Sequence, residues 1–433
     1  MRILMISDVY FPRVNGVSTS IRTFSRELTG KGHEVTLIAP DYGPPPASRN
    51  PQIPPPSTDV SVDRADLYSE GFEIVRIPSR NLPVDPEDRI LRPSRIRRHR
   101  ERLARRDFDL VHIQTPFIAH YAGLGLSRRL GVPVVESYHT YFEQYLDKYV
   151  TFLPPSWLRF AARRFSAAQC ADVDALVVPS RAMLSVLESY GVRTPAEVIP
   201  TGIDLGQFAH GDGGRFRSLY GIPPERPVLV HIGRLGFEKN IDFLLRVLVR
   251  VKREIPDVLL VIAGEGPARG RLQSLTTELG LRDNLLFVGY LSREGALEDC
   301  YCAGDAFVFA SRTETQGLVL LEAMALGSPV VSTAVMGTRE VLEGGQGSLI
   351  AAEDEADFAS KAVRLLADDE LRTTLSVQAR AHARSWAAPV LADRMLDFYR
   401  KVIATASDVG RQAFGSAGHK QRAPNNAYRR NRR

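Results

Sequence analysis

Two glutamates at a predicted strand-to-helix junction, Glu314 and Glu322, have the spacing that first indicates chemistry. They lie in SRTETQGLVLLEAMALG, residues 311–327, which follows the apolar run AFVFA and becomes an apolar helical pattern from Leu318. The first N–H groups of a helix are unpaired and its dipole favours negative charge, so this junction predicts an anion site. Carboxylates before and inside the helix could bind hydroxyl groups on either side of a phosphate. The alternative is a surface acid plus a helix acid, which is what isolated glutamates usually are.

A second loop, residues 233–240, brings positive charge to the end of another predicted strand, VLVHI. Its glycines, among them Gly233, allow backbone to approach a ligand, and Asn240 is predicted to cap the following helix. Arg234 and Lys239 beside a helix N-terminus would neutralise a diphosphate without a metal ion. On its own, this segment is equally compatible with a basic surface loop.

The elements that must position both loops form an alternation of apolar strand-like runs and amphipathic helical stretches. Strand, loop, helix and strand in this order make βαβ units, which predict an α/β fold with two doubly wound parallel sheets. We expect a first domain over residues 1–206, with a solvated proline-rich insertion over 40–58, and a second domain over 207–385. A helix over 386–406 is predicted to return to the first domain, and residues 407–433 are predicted to be a disordered basic tail.

Bulk composition narrows the class of protein. With 433 residues, of which 44% are hydrophobic and 24% charged, the chain is typical of a globular protein with two domains. It has no apolar run of about 18 residues and no signal-peptide pattern, so we expect a cytoplasmic protein, at most peripheral at the inner face of the membrane. Cys170, Cys300 and Cys302 provide neither a disulfide framework nor zinc-ligand spacing, and the last two are interpreted as buried small hydrophobic residues.

Two further patterns are interpreted as turns. Gly264 and Gly266 follow an apolar run, but Gly270 comes one residue late for the G-x-G-x-x-G pattern of a nicotinamide cofactor, and no acid is well placed on a following strand. The D-x-D sequences at 107–109 and 172–174 precede strands instead of ending them. The sequence therefore predicts neither a dinucleotide cofactor nor a metal site.

Taken together and in their order along the chain, the motifs resemble those of the retaining glycosyltransferases of family 4, which have the GT-B fold. The resemblance covers nearly the whole chain. It implies two Rossmann-like doubly wound domains facing across a cleft, with the acceptor bound by the first and the nucleotide sugar by the second. The motifs that carry it are NGVS (15–18), SYHTYF (137–142), VVPS (177–180), IPTGID (199–204), GRLGFEKN (233–240), GEGP (264–267) and the E-x7-E pair at 314 and 322.

The resemblance implies a role for each candidate catalytic residue. Arg234 and Lys239 would hold the donor diphosphate and stabilise the leaving nucleotide, and Glu314 would bind hydroxyl groups of the donor sugar. Glu322 would hold the ribose, and His139 would lie near the anomeric carbon and the acceptor. From the residues alone, His139 could also be a hydrogen-bonded histidine at a strand end.

Glycines and one helix start complete the implied donor site. Gly16, in the N-terminal loop, would let the backbone close over the phosphates or the acceptor, while Gly317 and Leu318 would offer backbone N–H groups. The other donor-binding glycines are Gly233, Gly264 and Gly289. Thr315-Gln316 departs from the small residue or glycine followed by Phe or Pro in many relatives, which leaves the identity of the sugar open.

The implied activity is transfer of a hexose, with retention at the anomeric carbon, from a nucleotide sugar such as UDP-glucose. No covalent nucleophile is evident, so we expect a front-face reaction in which the leaving phosphate helps to take the acceptor proton. Neither a metal nor another cofactor is expected. The open alternatives are a soluble, polysaccharide or lipid-linked sugar acceptor with a GDP-mannose or UDP-sugar donor, and a GT-B sugar-nucleotide epimerase. A catalytically silent binder should lack Glu314 or Lys239, and both are present.

Two basic segments of the first domain indicate the acceptor. Residues 92–106 contain eight arginines, and in residues 157–165 Trp157 and Phe160 interleave with arginines. Basic helices with aromatic residues are typical of proteins on anionic membranes, although a solvated helix face or a phosphate-binding surface would also explain them. The segment from Ser137 is similar to a region of diacylglycerol glucosyltransferases, so a membrane lipid such as diacylglycerol is the predicted acceptor. Nucleic acid is not predicted, because no binding module is recognisable.

Overall fold

The computed structural model describes residues 1–42, 70–81, 89–139, 141, 143 and 154–415. Within these ranges, strands and helices alternate and form two parallel sheets, which confirms the predicted α/β class. Pro40 belongs to the strand Glu34–Asp41, so the proline-rich insertion starts later than predicted, and residues 43–58 lie outside the described ranges. The strand can include Pro40 because its pairing with the neighbouring strand Arg2–Ile6 ends at Ile38, so the missing N–H of proline leaves no bond of that pair unmade.

An eight-stranded sheet with its helices forms what we call the first lobe. Its strands are β1 (Arg2–Ile6), β2 (Glu34–Asp41), β3 (Glu73–Asn81), β4 (Arg89–Leu91), β5 (Leu110–Ile113), β6 (Val134–Ser137), β7 (Ala175–Val178) and β8 (Ala196–Val198). Its helices are α1 (Gly16–Gly30), α2 (Pro93–Ala104), α3 (Ile118–Leu130), α4 (Pro155–Ala171) and α5 (Arg181–Ser189). The strand order is β4-β3-β2-β1-β5-β6-β7-β8, with β4 antiparallel to β3 and the other pairs parallel.

A six-stranded parallel sheet with its helices forms the second lobe. Its strands are β9 (Val228–Ile232), β10 (Leu259–Ala263), β11 (Leu285–Gly289), β12 (Ala306–Phe309), β13 (Val330–Ser332) and β14 (Ser348–Ile350). Its helices are α6 (Gly213–Leu219), α7 (Ile241–Glu254), α8 (Arg269–Glu278), α9 (Ala296–Ala303), α10 (Leu318–Ala325), α11 (Gly337–Leu342), α12 (Glu355–Ala367) and α13 (Asp369–Arg384), with 3₁₀ turns at Phe237–Lys239 and Arg282–Asn284. The strand order β11-β10-β9-β12-β13-β14 makes β9 and β12 neighbours.

Alternate residues of the central strands face two different cores, so helices cover both faces of each sheet. In β1, Ile3 and Met5 pack in the core that contains α1, whereas Leu4 and Ile6 pack in the core that contains α3. The strands of the second lobe divide between two cores in the same way. This arrangement leaves the loops after the strands at the carboxyl edge of each sheet, where ligands of such folds bind.

The last helix, α14 (Ala388–Gly415), packs against the first lobe. Leu391 and Met395 lie in the same core as residues of α1. Because this helix continues to its final glycine, the prediction of a disordered tail over 407–433 is wrong at its start, and residues 416–433 lie outside the described ranges. Low apolar content limits packing but does not prevent a helix, and no proline interrupts this segment.

The patterns interpreted as turns lie in connections between strands and helices. Asp109 Oδ2 accepts from the backbone N–H of Arg2 at 2.7 Å, and Asp174 Oδ2 accepts from that of Val134 at 2.9 Å. Both aspartates therefore tie the starts of neighbouring strands together. No group of three or more potential metal ligands comes together within the described ranges.

The cysteines agree in part with the prediction that Cys300 and Cys302 are buried. Cys300 is buried, as predicted, whereas Cys302 is only half-buried against the same core. Both thiols are free, as is that of the buried Cys170. Among the helices in the described part of the chain, none is long and apolar enough to cross a membrane.

Candidate functional site

The loops after β9 and β12 lie side by side because these two strands are neighbours in the second sheet. Lys239, in the first loop, donates a hydrogen bond from Nζ to Glu314 Oε2 in the second loop at 2.6 Å. Burial opposes the charge on Lys239, but the Glu314 carboxylate outweighs it and raises the pKa of the lysine above its usual value. Two of the predicted site residues, far apart in sequence, therefore form one ion pair.

Arg234 lies in the first loop and contacts a carboxylate that our sequence reasoning did not single out. Arg234 Nη1 donates to Glu238 Oε1 at 3.4 Å, and Glu238 is buried. Gly236 permits this arrangement, because a Cβ atom there would collide with the Glu238 carboxylate. The i,i+4 spacing of Arg234 and Glu238 was the available signal. The loop thus presents two cations, each of which contacts a carboxylate.

Three of the glycines predicted to bind donor meet at the ends of adjacent strands. The N–H of Gly264 donates to the carbonyl oxygen of Gly289 at 2.7 Å, and a Cβ on Gly264 would collide with the carbonyl oxygen of Gly233. Gly264 and Gly289 also have positive φ, at 134° and 72°, where glycine is favoured. These contacts give the glycines a packing role beneath the loop of Arg234, and their contact with the donor stays a prediction.

Asn240 precedes α7, but its side chain does not cap that helix, so this prediction is wrong. The residue has a left-handed backbone with φ of 57°, a conformation that asparagine tolerates better than most residues. Its Nδ2 instead donates to the carbonyl oxygen of Ala310 and to Glu353 Oε1, both at 3.2 Å. Asn240 therefore connects the start of α7 to the end of β12.

Helix α10 begins at Leu318, directly after Gly317, whose φ of 101° favours glycine. The first N–H groups of this helix have no acceptor within the helix, which fits the predicted anion site. Glu322 lies inside the helix with its side chain only 2% exposed. Its two carboxylate oxygens accept from Arg293 Nη2 at 2.9 Å and from the Tyr301 hydroxyl at 2.8 Å.

The Arg293 and Tyr301 contacts were not anticipated from the sequence. Burial opposes the charge on Arg293, but Glu322, together with Tyr301 and Glu298, outweighs this effect and raises the arginine's pKa. Arg293 follows the end of β11, so its position after a strand was the only available signal. Glu322 is thus held in one orientation, and its predicted contact with ribose would use lone pairs that these two bonds leave.

His139 follows β6 at the carboxyl edge of the first sheet. Desolvation by burial lowers its pKa to about 4, so the ring is neutral near pH 7. Nε2 lies 3.3 Å from Oε1 of Gln114, a buried residue that our sequence reasoning did not single out and that follows the neighbouring strand β5. In the neutral ring Nε2–H donates to this oxygen, and Nδ1 keeps its lone pair as an acceptor.

The prediction that Gly16 lies in a loop is wrong. Gly16 is the first residue of α1. Asn15 caps this helix: its Oδ1 accepts from the N–H of Ser18 and its own N–H donates to Ser18 Oγ, both at 2.9 Å. This reciprocal capping box explains why the NGVS motif starts a helix. A Cβ atom on Gly16 would meet no atom within 4 Å, so no contact in the described part of the chain requires glycine there.

One direct contact joins the two predicted halves of the site. Thr315 Oγ1, next to Glu314, donates to the backbone carbonyl oxygen of His139 at 3.2 Å. The loop that carries Glu314 therefore contacts the segment that carries His139, and the candidate site lies between the lobes.

Two protein families match the chain, one in each part. The family described as "Glycosyltransferase Family 4" matches residues 14–207, and the family described as "Glycosyl transferases group 1" matches residues 215–382. Together these matches cover nearly all strands of both sheets and include each of the candidate site residues named above.

Curated relatives agree with the family matches. An alpha-monoglucosyldiacylglycerol synthase of Streptococcus pneumoniae is 34% identical over 77% of this chain and 71% of its own length. A GDP-mannose-dependent alpha-mannosyltransferase of Mycobacterium tuberculosis is 29% identical over 93% of this chain and 97% of its own length.

Solved structures show the same fold at low sequence identity. HepE of Anabaena, in complex with UDP and glucose, aligns with a TM-score of 0.71 at 17% identity, covering 93% of this chain and 100% of that protein. Sucrose-phosphate synthase of Thermosynechococcus elongatus aligns with a TM-score of 0.72 at 21% identity, covering 93% of this chain and 99% of that protein.

Proposed function

Because this chain belongs to the family 4 glycosyltransferases, with the GT-B fold, we propose that it transfers glucose from UDP-glucose to a membrane lipid such as diacylglycerol. The transferase class follows from the family, whereas the donor, the acceptor and the stereochemistry are our proposal. One observation carries the choice of a lipid acceptor: a helix of the first lobe exposes aromatic residues beside arginines.

The donor half of the proposal rests on the two loops of the second lobe. The Lys239–Glu314 ion pair and Arg234 lie at the carboxyl edge of the sheet, near the start of α10. A diphosphate attracts cations and helix N-termini, and its sugar hydroxyls would draw Glu314 away from Lys239. Two cations would then balance the diphosphate without a metal ion. The Anabaena protein with bound UDP and glucose has the same fold, which supports a uridine nucleotide sugar as donor.

The reaction we propose proceeds with retention of configuration. An acceptor hydroxyl oxygen forms the new bond to the anomeric carbon on the face from which the bond to the phosphate oxygen breaks. The acceptor proton passes to that phosphate oxygen, so no oxidant, reductant or further reactant is needed. Lys239 and Arg234 stabilise the negative charge that develops on the diphosphate. His139 is neutral, so its Nδ1 can accept a hydrogen bond at the acceptor side.

The acceptor half rests on α4. Trp157 and Phe160 are 73% and 68% exposed, far more than large apolar side chains in a core. Arg159 and Arg164 are exposed on the same helix. Exposed aromatic rings beside basic residues suit the boundary between anionic headgroups and acyl chains. The pneumococcal relative is named as a synthase of a glucosyl lipid, which supports the same class of acceptor.

The arginine-rich segment 92–106 supports the proposal less strongly. Arg106 pairs with Glu73, and Arg102 Nη2 lies 3.7 Å from the same carboxylate. These arginines therefore serve contacts within the first lobe. The surface of α4 is the better candidate for contact with a membrane, and the enzyme would then act peripherally at the cytoplasmic face.

A donor panel with defined vesicles tests this function. The full chain is incubated with UDP-glucose, other UDP-sugars or GDP-mannose, and with either vesicles of phosphatidylglycerol and diacylglycerol or soluble sugars, and products are read by mass spectrometry. We expect a hexosyl diacylglycerol from UDP-glucose, and co-sedimentation with these vesicles but not with neutral phosphatidylcholine vesicles. Transfer to soluble sugars alone, donor conversion without an acceptor, or no binding to anionic vesicles would overturn the proposal.

GDP-mannose is the second donor candidate. The mycobacterial mannosyltransferase aligns over nearly its full length, more than the pneumococcal relative does. A mannosylated product from GDP-mannose in the same panel would favour this alternative and exclude glucose transfer as the main activity.

A further inference from the structure

Gln316 makes an unusual pair of contacts across the two lobes. Its Nε2 donates to the backbone carbonyl oxygen of Thr201 at 2.7 Å, and its Oε1 accepts from the backbone N–H of the same residue at 2.8 Å. Gln316 is only 6% exposed and Thr201 is also buried. The side-chain amide thus satisfies both backbone groups of one buried residue, which would otherwise lack partners where water is excluded.

Thr201 lies where the chain passes from the first lobe to the second. Two residues later, Ile203 donates to the carbonyl oxygen of Trp386 at 2.8 Å and accepts from the N–H of Ala388 at 3.0 Å. Between them, Gly202 is in such close contact that a Cβ there would collide with the Ala388 backbone. The outgoing and returning segments of the chain are therefore bonded together next to Thr201, and this paired segment is the connection about which the lobes would rotate.

Thr201 and Thr315 also contact other parts of the candidate site. Thr201 Oγ1 donates to Ser20 Oγ at 2.8 Å, four residues after Gly16 in α1. Thr315, which directly precedes Gln316 in the sequence, donates to the carbonyl oxygen of His139. Two adjacent side chains therefore connect the loop of Glu314 to the interlobe connection and to the segment of His139.

We propose that Gln316 and Thr315 are positioning residues for the transfer reaction. Gln316 fixes the donor-binding loop to the interlobe connection, and Thr315 fixes the same loop to the His139 segment. These two contacts would then restrain rotation of one lobe on the other and hold the donor sugar in a fixed position relative to the acceptor side. The catalytic part of this inference rests on the proposed function, whereas the bonds themselves can be tested without it.

The first test compares Gln316→Leu and Gln316→Glu with Gln378→Leu. Gln378 is the control, an exposed glutamine of the second lobe whose Oε1 accepts from the N–H of Gly347 at 3.3 Å within the same lobe. Gln316→Glu keeps the acceptor but places a carboxylate against the Thr201 carbonyl. Losing a buried hydrogen bond to a backbone group is expected to reduce kcat about 10- to 100-fold in both Gln316 variants, with UDP affinity within about threefold of wild type. Equal losses of kcat and melting temperature in Gln316→Leu and Gln378→Leu would overturn the positioning role.

Hydrogen exchange separates this inference from the proposed function. The amide of Thr201 donates to Gln316, so its exchange should accelerate about tenfold or more in Gln316→Leu, which removes the acceptor, and stay unchanged in Gln378→Leu. This result is expected whatever the substrates are. Unchanged exchange at Thr201 would overturn the inference, whereas faster exchange in a protein with no transfer activity would overturn only the proposed function.

Thr315 has its own conservative pair. Thr315→Ser keeps the hydroxyl that donates to His139, whereas Thr315→Val keeps the shape and removes it. One neutral hydrogen bond corresponds to a loss in kcat of about five- to tenfold for Thr315→Val, and Thr315→Ser should stay within about twofold of wild type. Equal activity of the two variants would exclude Thr315 from the positioning role.

Discussion

The carboxyl edges of the two sheets differ in how they shift the pKa values of their titratable groups. In the second lobe, Lys239 bonds to Glu314 and Arg293 bonds to Glu322, and in both pairs the pKa of the cation is raised despite burial. In the first lobe, desolvation lowers the pKa of His139 to about 4 and raises that of Asp8 to about 6. One edge therefore preserves charge by pairing, and the other favours neutral groups by burial.

This difference matches what each edge would bind. A preserved cation next to a carboxylate can exchange that partner for a diphosphate at little cost in desolvation, because the site is already charged. A neutral imidazole among buried groups suits the hydroxyl of an uncharged acceptor and would lose its free lone pair if protonated. Substitutions in the two lobes are therefore expected to change different measured properties of the enzyme.

The largest expected effect is in the second lobe, at Lys239. We expect Lys239→Ala to lower kcat about 100- to 1,000-fold, because charge on the departing diphosphate loses its nearest cation. Acceptor KM should change less than about threefold, since the residue lies on the donor side. Steady-state kinetics measure both, with Lys252→Ala as control, a half-buried lysine outside the candidate site whose Nζ donates to the carbonyl oxygen of Gly280. Unchanged turnover in Lys239→Ala would remove its role.

The next effect concerns His139 in the first lobe. Loss of a hydrogen-bonding group at the acceptor predicts about a 10- to 100-fold lower kcat for His139→Ala, with UDP affinity preserved. Because the pKa of His139 is about 4, its protonation should reduce kcat only near that pH and not near 6.5. Gln114→Glu places a negative charge beside the ring and should move this acid limb to higher pH. If the acid limb of the kcat profile does not move, the pH dependence of kcat does not arise from His139.

A stability effect of about 2 kcal/mol is expected from Asp8→Asn. Asp8 Oδ2 accepts from the N–H of Ala119 and from Thr115 Oγ1, bonds that an asparagine oxygen could also accept. The pKa of Asp8 is raised from 3.8 to about 6, so its favourable contribution is complete below 3.8 and is lost as pH rises through 6. Asp8→Asn should therefore gain stability relative to wild type between pH 4 and pH 7.

Denaturant unfolding at both pH values measures this gain. Asp257→Asn, which changes an exposed carboxylate, is the control and should follow wild type at both pH values. The buried histidines affect both proteins equally, so the difference between them isolates Asp8. A constant difference between pH 4 and pH 7 would contradict burial as the cause.

The smallest effect concerns the surface of α4. Replacing Trp157 with serine removes an exposed ring and is expected to weaken binding to phosphatidylglycerol vesicles about tenfold. Leu219, 75% exposed on the second lobe, provides the control Leu219→Ser, which should bind as wild type does. Co-sedimentation measures both. Equal loss in the two variants would mean that membrane contact does not distinguish the lobes.

Several local predictions failed for reasons that depend on neighbours. Gly16 is helical because Asn15 and Ser18 cap each other, and Asn240 does not cap α7 because its backbone is left-handed. The helix over the predicted tail continues because nothing ends it, although little of it needs to pack. In each case the residue types allowed the predicted structure, but the backbone conformation of the neighbouring residues determined the structure that formed.

The sequence by itself determined the α/β class, the alternation of strands and helices, and the loops that follow the strands at 233–240 and 311–317. It could do so because hydrophobic periodicity and turn residues act over a few positions, and carboxyl ends of parallel strands share one edge. Together with the order of the motifs, these features also indicated the family.

Only the tertiary structure decided which side chains meet. Glu314 bonds to Lys239 because β9 and β12 are neighbours, and Gln316 bonds to Thr201 because the second lobe faces the first at the chain crossing. These partners are 75 and 115 residues apart, and no periodic pattern spans such distances. Strand order and the relative position of the lobes arise from packing of the whole chain, so the contacts that hold the site in place became visible only in the folded molecule.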